Sequence, residues 1–387
     1  MELDAIEGPR ACTPDDLPQV IALVDEAMRR GSDQTLWTDY PLVYRGDNLE
    51  NIRVLTVGRK VACVVPFIPR DIVVDGCHFR IGIISPTATA PPYRHRGFGL
   101  RCLHSCIQQM EQAQCQLSVL WTMVETFPFY QHGGYQAVRP QAKVYRCGAA
   151  DAKRFADHGH AVVEYEQRAD WTEAIRRLHE RESYGVRRTA AEYPVLLQLP
   201  KMRTLLAMSD GAPAAYLVVS RAVNKPGLIE AGGAEAGVET LVHRALAELG
   251  PDHSVSAHAN LTETMLERVL ARHLAPDLEP GVGGMMIRIN DVRGFLGRIA
   301  GILEHKNGTV ERAFSATFHD PDETVSFRFS RDGLALGAGK QTQDFAMSLR
   351  EWTSVIFGSH PARPVGRPAG LADLFPVYFP IWVLDRS

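Results

Sequence analysis

Nothing in this chain of 387 residues approaches the ~18 uninterrupted apolar residues that a membrane-crossing helix needs. Its opening, Met1-Glu2-Leu3-Asp4, is acidic where a secretory signal places positive charge ahead of an apolar run. The two absences predict a cytoplasmic protein without a membrane span. Excess basic charge is also missing: the formal net charge is −3 and the pI about 6.5, so no globally basic surface argues for nucleic acid, and a small ligand is expected. Cysteine is scarce and one-sided. All seven, Cys12, Cys63, Cys77, Cys102, Cys106, Cys115 and Cys147, fall before residue 148. Their odd number and irregular spacing exclude a disulfide scaffold and fit reduced, buried small hydrophobes. Cys102 and Cys106 lie one helical turn apart, but no second pair follows at zinc-like spacing, so no metal is expected.

What is present concentrates at Pro91-Pro92-Tyr93-Arg94-His95-Arg96-Gly97-Phe98-Gly99-Leu100. Residues 79–89 form an apolar, threonine-punctuated run of strand character, ended by prolines that cannot donate to a sheet ladder. Residues 100–112 carry a helical apolar stripe at Leu100, Leu103, Cys106, Ile107 and Met110. A strand therefore turns into a helix at 94–99. The first N–H groups of a helix lack internal partners, and its dipole favours anions there. Gly97 and Gly99 admit phosphate close to the backbone, and Arg94 and Arg96 add donors. The plain alternative is a glycine turn with solvated arginines. The spacing is neither a dinucleotide fingerprint nor a nucleotide P-loop, which needs a lysine followed by Ser or Thr.

The rest of the chain has room for two or three domains. Thr13-Pro14-Asp15-Asp16 signals a helix start followed by the stripe Leu17, Val20, Ile21, Val24, Ala27 and Met28. Hairpins are predicted at Gly58-Arg59-Lys60 and Asp75-Gly76. A small, polar stretch at 148–153 suggests a first boundary, and Pro280-Gly281-Val282-Gly283-Gly284 a second. These give domains 1–150, 151–280 and 281–387. In the middle one, a helix at 171–181, strands at 203–208, 214–220 and 228–230 and a helix at 238–248 partly repeat the order of the first. Its turn at 231–237 has glycines but carries Glu235 and no arginine, so an anion would be poorly held. The last part is predicted as a strand (285–289), a helix (292–303), strands at 309–318, 324–330 and 334–336, and a helix at 342–355.

Arg94-x-x-Gly97-x-Gly99 resembles the signature of the GNAT acetyltransferases. The buried strand Leu117-Ser118-Val119-Leu120-Trp121-Thr122 and the segment Phe127-Pro128-Phe129-Tyr130-Gln131-His132-Gly133-Gly134-Tyr135 follow in that family's order. Over the full chain, this domain, a degenerate second copy and a tail similar to sterol-carrier proteins resemble the Eis family of acetyltransferases. The implied fold class is α+β: two acyl-CoA N-acyltransferase (GNAT) folds followed by a sterol-carrier-protein-like domain. The implied activity is acetyl-CoA-dependent N-acetylation of a primary amine, with a polycationic small molecule such as an aminoglycoside, or a lysine side chain, as candidate acceptors. By this resemblance Thr87, Ala88, Thr89, His95, Arg96, Gly97, Phe98, Gly99, Leu100, Glu125 and Thr126 contact acetyl-CoA, and Tyr130 is the general acid. The family usually has valines where Thr87 and Thr89 stand. The terminal carboxylate, here Ser387, is implied as the base, with Asp385 and Glu125 as alternatives, although the family commonly ends in an aromatic residue. Acidic residues Asp25, Glu26, Asp33 and Asp39 are candidates to hold a cationic acceptor, or form a solvated face. A homo-oligomer, a hexamer by resemblance, is implied. An alternative from another class is a lipid- or acyl-ligand-binding module, with Phe314, Phe318, Phe327, Phe329 and Phe345 lining a tunnel or filling an ordinary core.

Overall fold

The apolar runs on either side of Gly58-Arg59-Lys60 become the start of an antiparallel meander. In the computed structural model the described residues are 5–31, 35–139, 141–221, 226–260, 263–280, 284–319, 321–360, 365–366, 368–377 and 385. Along the chain, β1 (Ile6–Ala11), α1 (Leu17–Met28) and the short α2 (Leu36–Asp39) precede β2 (Ile52–Val57), β3 (Lys60–Val74), β4 (Cys77–Ile84) and β5 (Ala88–Thr89). Next come α3 (Phe98–Gln112), β6 (Leu117–Trp121), α4 (Phe127–Gln131) and β7 (Gln136–Ala137). The middle of the chain holds β8 (Gln141–Gly148), β9 (Ala161–Glu164), α5 (Ala169–His179), β10 (Tyr184–Arg187), α6 (Glu192–Leu196), β11 (Met202–Ser209) and β12 (Ala212–Ser220). It continues with β13 (Gly227–Gly233), α7 (Glu235–Ala247), β14 (Ser254–Asn260), α8 (Met265–His273) and β15 (Asp277–Pro280). Last are β16 (Met285–Ile289), α9 (Val292–Arg298), α10 (Ala300–Asn307), β17 (Arg312–His319), β18 (Asp322–Ser330), β19 (Gly333–Ala338), β20 (Asp344–Met347) and α11 (Leu349–Phe357).

These mixed α and β elements form two units that alternate along the chain. One comprises Met1–Asp71, Cys77–Pro140 and Val282–Val377; the other comprises Ile72–Gly76, Gln141–Gly281 and Tyr378–Ser387. In the first, the main sheet runs β1-β2-β3-β4-β6-β16-β7. Helix α3 buries Phe98, Cys102, Leu103, Cys106, Ile107 and Met110, in one cluster with Cys63, Val65 and Phe67 of β3. At about 1.5–3 kcal/mol for each large apolar side chain, that face fixes the helix. The seven cysteines are free thiols. A smaller sheet in the same unit has the order β19-β18-β17-β20. Its phenylalanines pack on one another: the Phe314 ring lies 4.6 Å from Phe327, 6.3 Å from Phe329 and 5.8 Å from Phe345.

In the second unit the sheet order is β15-β8-β14-β13-β12-β11-β9. The core cluster joins Leu205, Leu217, Leu228 and Val255 of the strands to Val238, Leu241 and Val242 of α7. The strand–helix–strand passage β13-α7-β14, with its two strands parallel, repeats the passage β4-α3-β6, also parallel.

Three elements differ from the sequence expectation. Met285–Ile289, expected to open a third domain, instead enters the first sheet, pairing Met286 with Leu120 and with Ala137. The apolar strand thereby gains a partner on each edge. Residues 141–148 pair with β14 and β15 in the second sheet, so the chain changes unit at 140–141, ahead of the composition shift at 148–153. The helix expected over 342–355 is a strand, β20, followed by α11. Ser348 Oγ accepts the Glu351 N–H at 3.3 Å and Glu351 accepts the Ser348 N–H at 2.8 Å, a capping box that starts the helix at Leu349. Among the described residues no helix is long and apolar enough to cross a membrane.

Candidate active site

Strands β4 and β6 run together only as far as they are paired. The pairs are Ile81–Leu117, Gly82–Ser118 and Ile83–Val119. Beyond them the chain leaves β6 and follows β3: Ser85 N–H donates to Pro66 O at 3.1 Å and Ala90 N–H to Ala62 O at 2.9 Å, with Ala88 opposite Val64 and Thr89 opposite Cys63. Meanwhile β6 continues to Trp121 beside β16. A wedge therefore opens between residues 86–90 and 120–122. Because the Ala90 amide is turned to β3, ladder alternation turns the Thr89 amide the other way.

The cradle closes one end of this wedge. Gly97 is the N-cap of α3 with φ +75°, a left-handed conformation that favours glycine. A Cβ there would meet nothing within 4 Å, so the space above the loop is open. The first helical backbone bond runs from Arg101 N–H to Gly97 O at 3.0 Å, which leaves the amides of Phe98, Gly99 and Leu100 at the positions a helix does not satisfy internally. His95, Arg96 and Gly97 are exposed and Phe98 is buried. Tyr93 stacks on Phe98 at 6.3 Å and the Arg96 guanidinium lies 5.8 Å from the Tyr93 ring. Arg94 does a different task from the one its charge suggests: its Nε donates to Thr89 O at 3.1 Å, latching the turn to β5.

Tyr130 stands beside this cradle through Phe129. A Cβ on Gly99 would lie 3.1 Å from the Phe129 ring and 3.5 Å from Thr89 Oγ1, and the Phe129 and Tyr130 rings are 4.8 Å apart. Tyr130 is buried at 8% exposure. Burial pushes its phenol above the ordinary tyrosine range, and a hydrogen bond with Thr87 pulls partly the other way. The side chain therefore remains a proton donor across neutral and mildly alkaline pH. Thr126 Oγ1 donates to Met123 O at 2.8 Å and meets Thr122 Oγ1 at 2.5 Å. Glu125 is exposed beside it. The structure thus brings Thr87, Ala88, Thr89, His95–Leu100 and Tyr130 to one wedge, with Glu125 and Thr126 on the turn after β6.

Other expected residues are placed elsewhere. Asp25 accepts Thr35 Oγ1 at 2.6 Å and the Leu36 N–H at 2.7 Å, so it caps α2. Asp39 pairs with Arg29 at 2.5 Å, and Glu26 with Arg30 at 3.4 Å. Asp385 is fully buried in the second unit, with both oxygens on Arg188 at 2.7 and 2.9 Å. Asp33 and Ser387 lie outside the described residues. Sequence reasoning missed Phe129, whose ring explains why Gly99 must be small. It also missed Met123 and Val124, which are 70% and 52% exposed on the turn after β6; apolar side chains left in solvent beside a wedge are the signal that would have found them.

Comparison with known proteins agrees with this geometry. Residues 9–138 match the family described as the acetyltransferase (GNAT) domain. No curated protein matches the chain. Solved structures similar in fold include a conserved protein of unknown function from Enterococcus faecalis, described as a probable N-acyltransferase, at 16% identity and TM-score 0.68, covering 93% of this chain and 91% of that one. A GCN5-related N-acetyltransferase from Kribbella flavida matches at 14% identity and TM-score 0.68 over 100% of this chain and 96% of that one. Eis1 from Mycobacterium abscessus matches at 13% identity and TM-score 0.62, covering 92% and 90%. The wedge-bearing part of the chain is an acetyltransferase domain, the protein is an acetyltransferase enzyme, and an acyl-coenzyme A is the co-substrate that such a domain uses.

Proposed function

We propose that this protein transfers an acetyl group directly from acetyl-coenzyme A to a primary amine, with Tyr130 as general acid. The observation that carries the reading is the juxtaposition of the open amide cradle at Gly97–Leu100 with the buried, protonated Tyr130 at the mouth of the β4–β6 wedge. The residues fit the co-substrate. The amides of 98–100 and the exposed His95 and Arg96 suit a pyrophosphate, and the strand edge at 87–89, with its amide turned from β3, suits an amide-bearing arm.

Acetyl-coenzyme A supplies an activated thioester carbonyl. In the transfer, the amine nitrogen bonds to that carbon, the carbon–sulfur bond breaks, and the thiolate takes the Tyr130 phenolic proton. The amine loses a proton to a base, for which the Ser387 carboxylate is our proposal. We extend the same reading to the second unit as a degenerate copy of the fold, to the β17–β20 region as a sterol-carrier-like domain, and to assembly as a homo-oligomer. The repeated strand–helix–strand passage supports the first of these extensions.

Asp25, Asp39 and Glu26 have partners within the chain, so these side chains offer a cation little. The exposed Met123 and Val124 argue for an acceptor with apolar surface next to its amine. The test is turnover of acetyl-coenzyme A with a panel of amines, comparing wild type with Tyr130→Phe and with a chain lacking Ser387. An unchanged rate in Tyr130→Phe overturns the general-acid assignment, and an unchanged rate without Ser387 overturns the base.

A further inference from the structure

The turn after β6 is held firmly, and it holds its apolar side chains outward. Thr122 is fixed from two sides: its N–H donates to Gly284 O at 2.9 Å, and its Oγ1 meets Thr126 Oγ1 at 2.5 Å. Thr126 closes the turn on Met123 O, from its Oγ1 at 2.8 Å and from its backbone N–H at 3.0 Å. The anchor needs a glycine: Gly284 has φ +83°, and a Cβ there would collide with Thr122 O. Yet the residues so held, Met123 and Val124, are 70% and 52% exposed, and among the described residues no large apolar side chain is more exposed than Met123. A fixed turn that forgoes the burial of two adjacent apolar side chains has the character of a contact surface.

The place of this turn says what it contacts. It runs from Trp121, the last residue of β6, to α4, which carries Tyr130, so it is the rim of the wedge on the β6 side. Negative charge on it is sparse. Glu125 is its one carboxylate, exposed to solvent, where an ion pair is worth little. On α1 and α2, Asp25 caps a helix, and Glu26 and Asp39 pair with arginines. A polycation, with an ammonium at each end, would need several unpaired carboxylates, and this rim supplies one.

An apolar rim also suits the chemistry. The nucleophile in acetyl transfer is the neutral amine, and an ammonium brought against apolar surface gives up its proton more readily, because desolvation disfavours the charged form. Met123 and Val124 would therefore take the body of an apolar amine out of water and ease the loss of its proton. Methionine is unbranched and adapts to irregular contacts, which matches a flexible alkyl chain. A protein partner fits poorly, since a stable interface takes about 20–30 residues a side and this patch has two. On the reading that the wedge acetylates a primary amine, we propose that its acceptor is a monoamine with an unbranched apolar body, bound at the rim by Met123 and Val124.

The test uses the full-length chain with saturating acetyl-coenzyme A and follows release of the coenzyme A thiol with propylamine, butylamine, pentylamine, hexylamine and spermidine. The expected result is a kcat/KM that rises about two- to fourfold with each methylene, the worth of a CH₂ leaving water, which puts hexylamine about tenfold or more above spermidine. The double variant Met123→Ser, Val124→Ser should flatten the series. Met123→Leu, which keeps an apolar side chain of similar volume, should retain the slope. A double variant that raises the KM for acetyl-coenzyme A and keeps the slope assigns the two side chains to the coenzyme and overturns the proposal. A flat series in the wild type, an unchanged slope in the double variant, or spermidine acetylated faster than hexylamine also overturns it. If no amine is acetylated while coenzyme A still binds, the reading of the wedge itself falls, and this acceptor with it.

Discussion

The two wedges are built from the same passage of strand, helix and parallel strand, yet residues of opposite charge stand at them. In the first, the helix begins with glycines, exposed His95 and Arg96 and unpaired amides. In the second, where β13 and β14 part beyond Gly227–Ser256, the equivalent helix begins with Ala234 at its N-cap and Glu235 in its first turn, and Glu182, Glu230 and Glu267 stand on the walls. What separates an anion cradle from a carboxylate-lined cleft is a handful of residues at one helix start and on the facing walls. Fold alone does not assign chemistry to either wedge.

The largest effect that sharpens this comparison is expected from Tyr130→Phe, which should lower kcat ~10²–10⁴-fold, the usual worth of a positioned proton donor, while coenzyme A binding stays. In the wild type the alkaline limb of kcat should lie above the ordinary tyrosine value of 10.0, because the raised phenol keeps its proton as pH climbs. A limb at or below that value would break the assignment. Next in size is Arg188→Met, which leaves Glu230 and Asp385 buried without their cation. Denaturant unfolding should show a loss of about 3–5 kcal/mol, and a loss under 1 kcal/mol would mean that this ion cluster is not what organises the second wedge. Gly97→Val places a branched residue at φ +75°, at a strain of about 1–2 kcal/mol. Its signature should be a KM for acyl-coenzyme A raised roughly tenfold, with kcat moving less. The smallest effect is expected from Asp25→Asn: about 0.5–1 kcal/mol of stability through the weakened cap on α2, and an acceptor KM that does not move. A marked rise in KM for cationic amines would return Asp25 to the acceptor site.

Much of the first wedge was legible in local sequence. Prolines ending a strand, glycines at a helix start and Phe127–Tyr135 in order are short-range signals, and each lies where the spacing predicts. Long-range pairing was not legible. Met285–Ile289 reads equally as the first strand of a new domain or as a missing strand of an old one, because an apolar run does not name its partner. Thr342–Val355 read as one helix because Ser348 in its middle looks tolerable, until Glu351 three residues later is recognised as the other half of a cap. Asp25 misled for a related reason. Its acidity was visible, but Thr35 and Leu36, which occupy it, stand ten and eleven residues further on.

The exchange of strands β8 and β16 sets an order on synthesis. A ribosome must release residue 289 before the acetyltransferase sheet can acquire the strand between β6 and β7, although the cradle and Tyr130 have left the exit tunnel long before. A fragment ending near residue 140 would expose the apolar edge of β6, the kind of edge that invites pairing with other chains. The catalytic part should therefore be produced only with the remainder of its polypeptide attached, and a stop codon anywhere before 289 should yield aggregate rather than a minimal enzyme.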